Sequence, residues 1–192
     1  MTKVFQFKIT LKGITPAIYR KIQIVNSCTF WDLHVAIQDS MGWLDYHLHN
    51  FEVLNPITNA LENITICSED DEKLSSEKKV KDYIDKNNNK MLYLYDFGDC
   101  WEHNIKLEKI LNKENKKYPI CIDGKRCCPP EDVGGIYGYK NFLTILKNPN
   151  HPEYPKTIEW SGEFNPEYFD IQNVKFDNPK TRLKNSISHS QI

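Results

Sequence analysis

The stretch from Tyr93 to Ile110, YLYDFGDCWEHNIKLEKI, holds two runs of alternating apolar residues joined at Phe97-Gly98-Asp99-Cys100. A period of two suits a strand with one face buried, and a short Gly/Asp corner between two such runs reads as an antiparallel hairpin. The hairpin sets Asp96, Asp99, Cys100, Glu102 and His103 close together. A second concentration follows in CIDGKRCCPPEDVGG, Cys121 to Gly135, a loop too rich in Gly and Pro for a helix or a central strand. The clustering predicts that corner and loop pack together, with Asp96, Asp99, Trp101, Glu131 and Asp132 on one binding surface.

The flanking chain supplies more strands. Val4–Leu11 alternates Phe5, Phe7, Ile9 and Leu11 against polar residues, and Ile18–Val25 repeats the pattern after the Gly13–Pro16 break, so the two form a hairpin. Thr29 is an N-cap with Asp32 as capping-box partner, Phe30, Leu33, Ile37 and Met41 follow at helical spacing, and Gly42 stops the helix. Tyr46–Leu54 reads as a strand with His47 and His49 on one face, and Leu61–Cys67 pairs back across a turn at Asn55–Asn59. Ser68–Lys90 is a charged surface connection carrying one short helix. Tyr139–Lys147 is a short amphipathic helix stopped at Asn148-Pro149, and Asn165-Pro166 is read as the cap of another. Residues 1–184 form one domain and 185–192 a polar, disordered tail.

Charge and cysteine usage narrow the classes. With 25 basic and 26 acidic residues, no global field draws the chain to nucleic acid or an anionic membrane. No apolar run reaches the roughly 18 residues of a membrane span and no signal-peptide block leads the chain, which places it in the cytoplasm. Six irregularly spaced cysteines there are reduced, buried or metal-bound, not a disulfide framework.

Thiolate and imidazole are the usual zinc ligands, so His103, Cys121, Cys128 and Cys100 form the candidate metal set, with zinc as the cofactor; His47 and His49 could add ligands from the sheet, though such a pair more often packs and hydrogen-bonds within a fold. The competing reading buries Cys100 and Cys128 as small apolar residues. Asp96, Asp99, Glu102, Glu131 and Asp132 could divide acid and base roles, or could simply lock turns and loops. Nucleophile elbow, P-loop, dinucleotide fingerprint and HExxH helix are all missing. The aromatics near the two concentrations, Tyr93, Tyr95, Phe97, Trp101, Tyr137 and Tyr139, suit a surface for a protein partner or stacked bases. Lys125-Arg126 is too small a basic step for a nucleic-acid footprint.

Taken in order, the YRKIQI and HLHNFEV strands, YDFGDCWEHNIKLEKI, CIDGKRCCPPEDVGGIYGY and FNPEYFDIQNV resemble the plasmid pRiA4b ORF-3-like family from Phe5 to Val174. The resemblance implies an α+β fold with a mainly antiparallel sheet, a β-β-α-β start of β-grasp or ubiquitin-like character, and short helices packed on it. It also implies an association with mobile genetic elements, including transposon passengers, and no established enzymatic activity. Val133 stands where the family pattern carries a cysteine, and Cys100 where it carries Gly or Asp. The expected function is therefore a non-enzymatic accessory or interaction module with a protein partner. A nucleic-acid-binding accessory protein and a metal-dependent hydrolase are the alternatives.

Overall fold

The alternating runs pair as antiparallel strands in the computed structural model, which describes residues 2–65 and 75–189, with side chains as far as residue 184. The strands are β1 (Lys3–Leu11), β2 (Tyr19–Val25), β3 (His49–Leu54), β4 (Leu61–Thr65), β5 (Lys90–Tyr95), β6 (Trp101–Asn112) and β7 (Ile120–Lys125). They form one seven-stranded sheet in the order β4-β3-β5-β6-β1-β2-β7, every pair antiparallel. The β5–β6 hairpin is at its centre, with Tyr93 opposite His103 and Tyr95 opposite Trp101.

The strand, strand, helix, strand order of the first 54 residues is present, but β3 joins β4 and β5 and is separated from β1 by two strands. The β-grasp start is not confirmed. What stands is an α+β fold on an antiparallel sheet.

One face of that sheet is covered by α1 (Phe30–Met41). Its start follows from local chemistry: the Thr29 hydroxyl accepts from Asp32 N–H at 3.1 Å, and the Asp32 carboxylate accepts from Thr29 N–H at 2.9 Å. Gly42, at φ 91°, closes the other end in the left-handed conformation that glycine adopts freely. Phe30, Leu33, Ala36 and Ile37 meet Phe7, Ile9, Phe51, Tyr93 and Ile105 in a continuous core.

Several later elements differ from the sequence expectation. Ile120–Lys125 is a strand, at the sheet edge where few cross-strand contacts are needed, so the loop proper begins at Arg126. Helix α2 spans Gly135–Leu146 and starts a turn earlier than its apolar pattern suggests. Asn165 forms a turn, not a helix cap: its side chain accepts from Glu167 N–H at 3.0 Å and its carbonyl from Tyr168 N–H at 3.1 Å. Helix α3 (Tyr154–Ser161) and helix α4 (Pro179–His189) carry weak apolar patterns and were not legible. The tail expected from residue 185 is thus helical to His189, and 190–192 lie outside the described residues, as do residues 68–74 of the charged connection. α4 lies against the outer side of α1, where Trp31 Nε1–H donates to Pro179 O at 2.8 Å and Arg182 pairs with Asp39 at 2.6 Å.

The core contains a polar seam. His34 sits between the Tyr93 hydroxyl at 2.8 Å and Asp45 at 2.7 Å, and its ring stacks on His49 at 3.6 Å. His103, also fully buried, has Nδ1 3.0 Å from Trp101 O. Burial holds His34 and His49 well below the ordinary 6.5 and His103 down to about 4.

These shifts predict a direction. Below pH 6.5 the unfolded chain binds protons at three histidines that the folded chain excludes, so stability present at pH 7 is lost as pH falls. Asp39, Asp45 and Glu131, whose carboxyls burial raises, pull the other way and soften the loss. Urea unfolding of a His103→Leu variant between pH 7.5 and 5 is expected to show a stability slope shallower by roughly one proton than the parent.

Candidate functional site

The corner between β5 and β6 is closed by a carboxylate. Asp96 takes φ 58°, a left-handed conformation that Asp tolerates better than most residues, and its Oδ1 accepts from Gly98 N–H at 2.9 Å and Asp99 N–H at 3.3 Å. Cys100 N–H donates to Asp96 O at 2.7 Å. These bonds use Oδ1 and not Oδ2, in a residue that is 6% exposed.

The loop that follows β7 lies against this corner. Asp99 Oδ2 accepts from Gly134 N–H at 3.0 Å. Gly135, at φ 65°, approaches so closely that a Cβ there would sit 2.6 Å from Asp99 O. Glu131 Oε1 accepts from Leu44 N–H at 2.8 Å and from the Tyr95 hydroxyl at 3.0 Å, tying the loop to the segment after α1 and to the end of β5. Burial raises the Glu131 carboxyl, partly offset by those two donors, and burial beside Glu131 raises the Tyr95 hydroxyl. Trp43 adds a third tie: its Nε1–H donates to Pro129 O at 2.9 Å and its ring stacks on Tyr95 at 5.0 Å.

Three segments distant in sequence therefore converge: residues 43–48, the corner 96–100 and the loop 126–135. At their meeting point His47 Nε2 lies 3.0 Å from Asp132 Oδ1 and 3.6 Å from Asp96 Oδ2. His47, Asp96 and Asp132 each bring a ligand-type atom to within 4.8 Å of the others, and no other such group of three occurs among the described residues.

Of the residues expected on a binding surface, the structure gathers Asp96, Asp99, Glu131 and Asp132. Trp101 is fully buried instead: alternation along β6 puts it on the core face, where it lies 6.0 Å from the Trp43 ring beneath the site. The residues expected to hold zinc do not gather. Cys100 is exposed at the corner, His103 is buried between the Trp43 and Tyr93 rings, Cys121 is half-buried on the edge strand β7 and Cys128 is buried in the loop beyond it. Burial raises both of these thiols, with Arg20 opposing. His49 belongs to the polar seam.

His47 parts from His49 because β3 starts at His49, leaving His47 in a bend where it swings to the surface. The signal available in the sequence was the His-x-His run directly after a helix stop, read there as strand.

The contact between corner and loop makes two stability predictions. Gly135→Ala is expected to cost about 1–3 kcal/mol through left-handed strain and the clash with Asp99 O. Asp99→Ala is expected to cost about 1 kcal/mol by releasing Gly134 N–H. Denaturant unfolding at constant pH measures both.

Comparison with known proteins follows the same span of chain. A model of the plasmid pRiA4b ORF-3-like protein family matches residues 3–173. The uncharacterized protein y4hQ of Sinorhizobium fredii is 31% identical over 171 residues, covering 84% of this chain and 82% of its own. The crystal structure of MM3350 from Methanosarcina mazei Go1, described as a protein of unknown function, superposes with a TM-score of 0.86 at 49% identity, covering 92% of this chain and 99% of that one.

Proposed function

The chain belongs to the plasmid pRiA4b ORF-3-like family, and we propose that it serves as a non-enzymatic accessory or interaction module of mobile genetic elements whose binding face is the junction of corner, loop and post-helix segment. A single observation carries this reading. Large apolar residues on the post-helix segment, on the corner and at the start of α2 are exposed around the junction: Leu44, Tyr46, Leu48, Phe97 and Tyr137, with Tyr46 at 70% and Tyr137 at 85%. Scattered apolar residues on a surface need no explanation, but a group bordering one junction is the usual mark of a contact surface.

The chemistry beneath supports a fixed surface. Glu131, Asp99 and Trp43 spend their hydrogen bonds on holding the three segments together, so the exposed side chains project from backbone with little freedom to lose on binding. Aromatic residues supported in this way are the side chains that most often dominate a protein interface. The link to mobile elements draws on the family's description, which names a plasmid reading frame. The reading keeps the chain in the cytoplasm. Among the described residues no helix is long and apolar enough to cross a membrane.

The test uses a photo-crosslinking residue placed in turn at Tyr46, Phe97 and Tyr137, with Ile57 as an exposed control on another part of the surface, in full-length chain added to extract of its own cells. The reading expects one discrete protein adduct shared by the three junction positions and missing at Ile57. Adducts equal at all four positions would contradict it, and nuclease-sensitive adducts would make the partner a nucleic acid.

A further inference from the structure

We propose that His47, Asp96 and Asp132 form a binding site for one zinc-class divalent cation at the centre of this face. The donor set is one imidazole nitrogen and two carboxylate oxygens, whose atoms lie within 4.8 Å of one another. Ligands about 2 Å from a common ion can span no more than roughly 4 Å, so only a small inward adjustment separates these three from a coordination shell. Three protein ligands leave one tetrahedral position open toward solvent, the arrangement in which zinc also binds an outside donor. The imidazole favours zinc over manganese, which is better suited by oxygen ligands, and over magnesium, which prefers oxygen and also retains its waters.

Two independent features point to a cation and not to a simple ion pair. His47 Nε2 is shielded from solvent and makes no hydrogen bond, although Asp132 Oδ1 is 3.0 Å away, because the two groups are not aligned for one. Two carboxylate oxygens lie beside it, Asp132 Oδ1 at 3.0 Å and Asp96 Oδ2 at 3.6 Å. The second feature is Asp96, whose side chain is more than nine-tenths buried and whose Oδ1 is committed to the corner, while its Oδ2 lies 3.6 Å from His47 Nε2.

Charge adds to this. Asp96, Asp99, Glu131 and Asp132 converge here, and the ion pairs of the described residues bring only His47 to them, with no Lys or Arg. A divalent ion would offset that excess and join residue 47, the corner and the loop at one point, as Glu131 and Asp99 do from the sides.

The site shares its position with the interaction face, but the test reads metal alone, so either proposal can fail without the other. Full-length protein purified without chelator is assayed for metal, then stripped with EDTA and titrated with zinc sulfate, manganese chloride and magnesium chloride by calorimetry. About one zinc per chain is expected, with manganese weaker and magnesium silent. His47→Ala and Asp132→Asn, both at partly exposed side chains, are expected to weaken zinc at least about tenfold and to abolish a zinc-induced rise in Tm. Cys121→Ser and Cys128→Ser should leave binding unchanged. Asp96→Asn, which retains the Oδ1 acceptor for the corner, separates loss of a ligand from loss of fold by its circular dichroism. No saturable binding in the parent, or binding that tracks the cysteines instead of His47, would overturn the site. So would a His47 proton resonance that titrates as an imidazolium paired with Asp132 and ignores added zinc.

Discussion

Arg20, on the core face of β2, is 2% exposed, and a charge taken out of water at that depth costs several kcal/mol unless its donors are met. Four backbone carbonyls meet them: Ser40 at 2.7 Å, Tyr19 at 2.8 Å, Lys125 at 2.9 Å and Arg126 at 2.9 Å. The ring of Phe169 packs over the group at 3.9 Å. These partners lie at the end of α1, at the end of β7 and in the chain after α3, so satisfying one side chain fixes where three remote segments run. Gly124 belongs to the same constraint, since a Cβ there would come 2.4 Å from Phe169. Beyond Arg126 the loop runs to the ends of β5 and β6, where Gly134 N–H meets Asp99 and Glu131 meets the Tyr95 hydroxyl. Once Ser40 is held, Gly42 turns the chain toward the same place.

The site follows from that convergence. Its carboxylates divide into two kinds by what their oxygens touch. Asp99 and Glu131 are occupied by backbone N–H groups and the Tyr95 hydroxyl, and they fasten loop to corner and to the post-helix segment. Asp132 and Oδ2 of Asp96 are left facing His47. Asp96 serves both purposes, closing the hairpin with one oxygen and presenting the other. A fold-determining turn and a ligand-type oxygen are thus the same residue, which ties the geometry of the site to the formation of the central hairpin.

Local rules carried the first half of the chain. β1, β2, the Thr29–Asp32 capping box, the Gly42 stop and the β5–β6 hairpin were all legible because each depends on neighbours within a few residues. Corner and loop could be named as partners, but the identity of the central residues could not. His47 was assigned to a strand because Leu48 alternates around it, and the bend ahead of β3 is held from a hairpin far along the chain, where the Tyr95 hydroxyl accepts from Tyr46 N–H and Asp96 N–H donates to Leu48 O. His103 and the cysteines looked like ligands because spacing says nothing of direction. In the fold, alternation turns His103 inward, Cys121 sits on the edge strand β7 and Cys128 is buried. The late helices were missed for a simpler reason, since α3 buries no residue fully and α4 meets α1 mainly through polar contacts.

The central claim is that one fold-imposed junction of three segments holds His47, Asp96 and Asp132 around a single point. Crystals of the full-length protein soaked in manganese chloride and measured on both sides of the manganese absorption edge test it directly. The account predicts one anomalous peak per chain, within about 2.5 Å of His47 Nε2, Asp96 Oδ2 and Asp132 Oδ1. A peak among Cys121, Cys127 and Cys128, or none at the junction of a crystal in which those three side chains are well ordered, would contradict it.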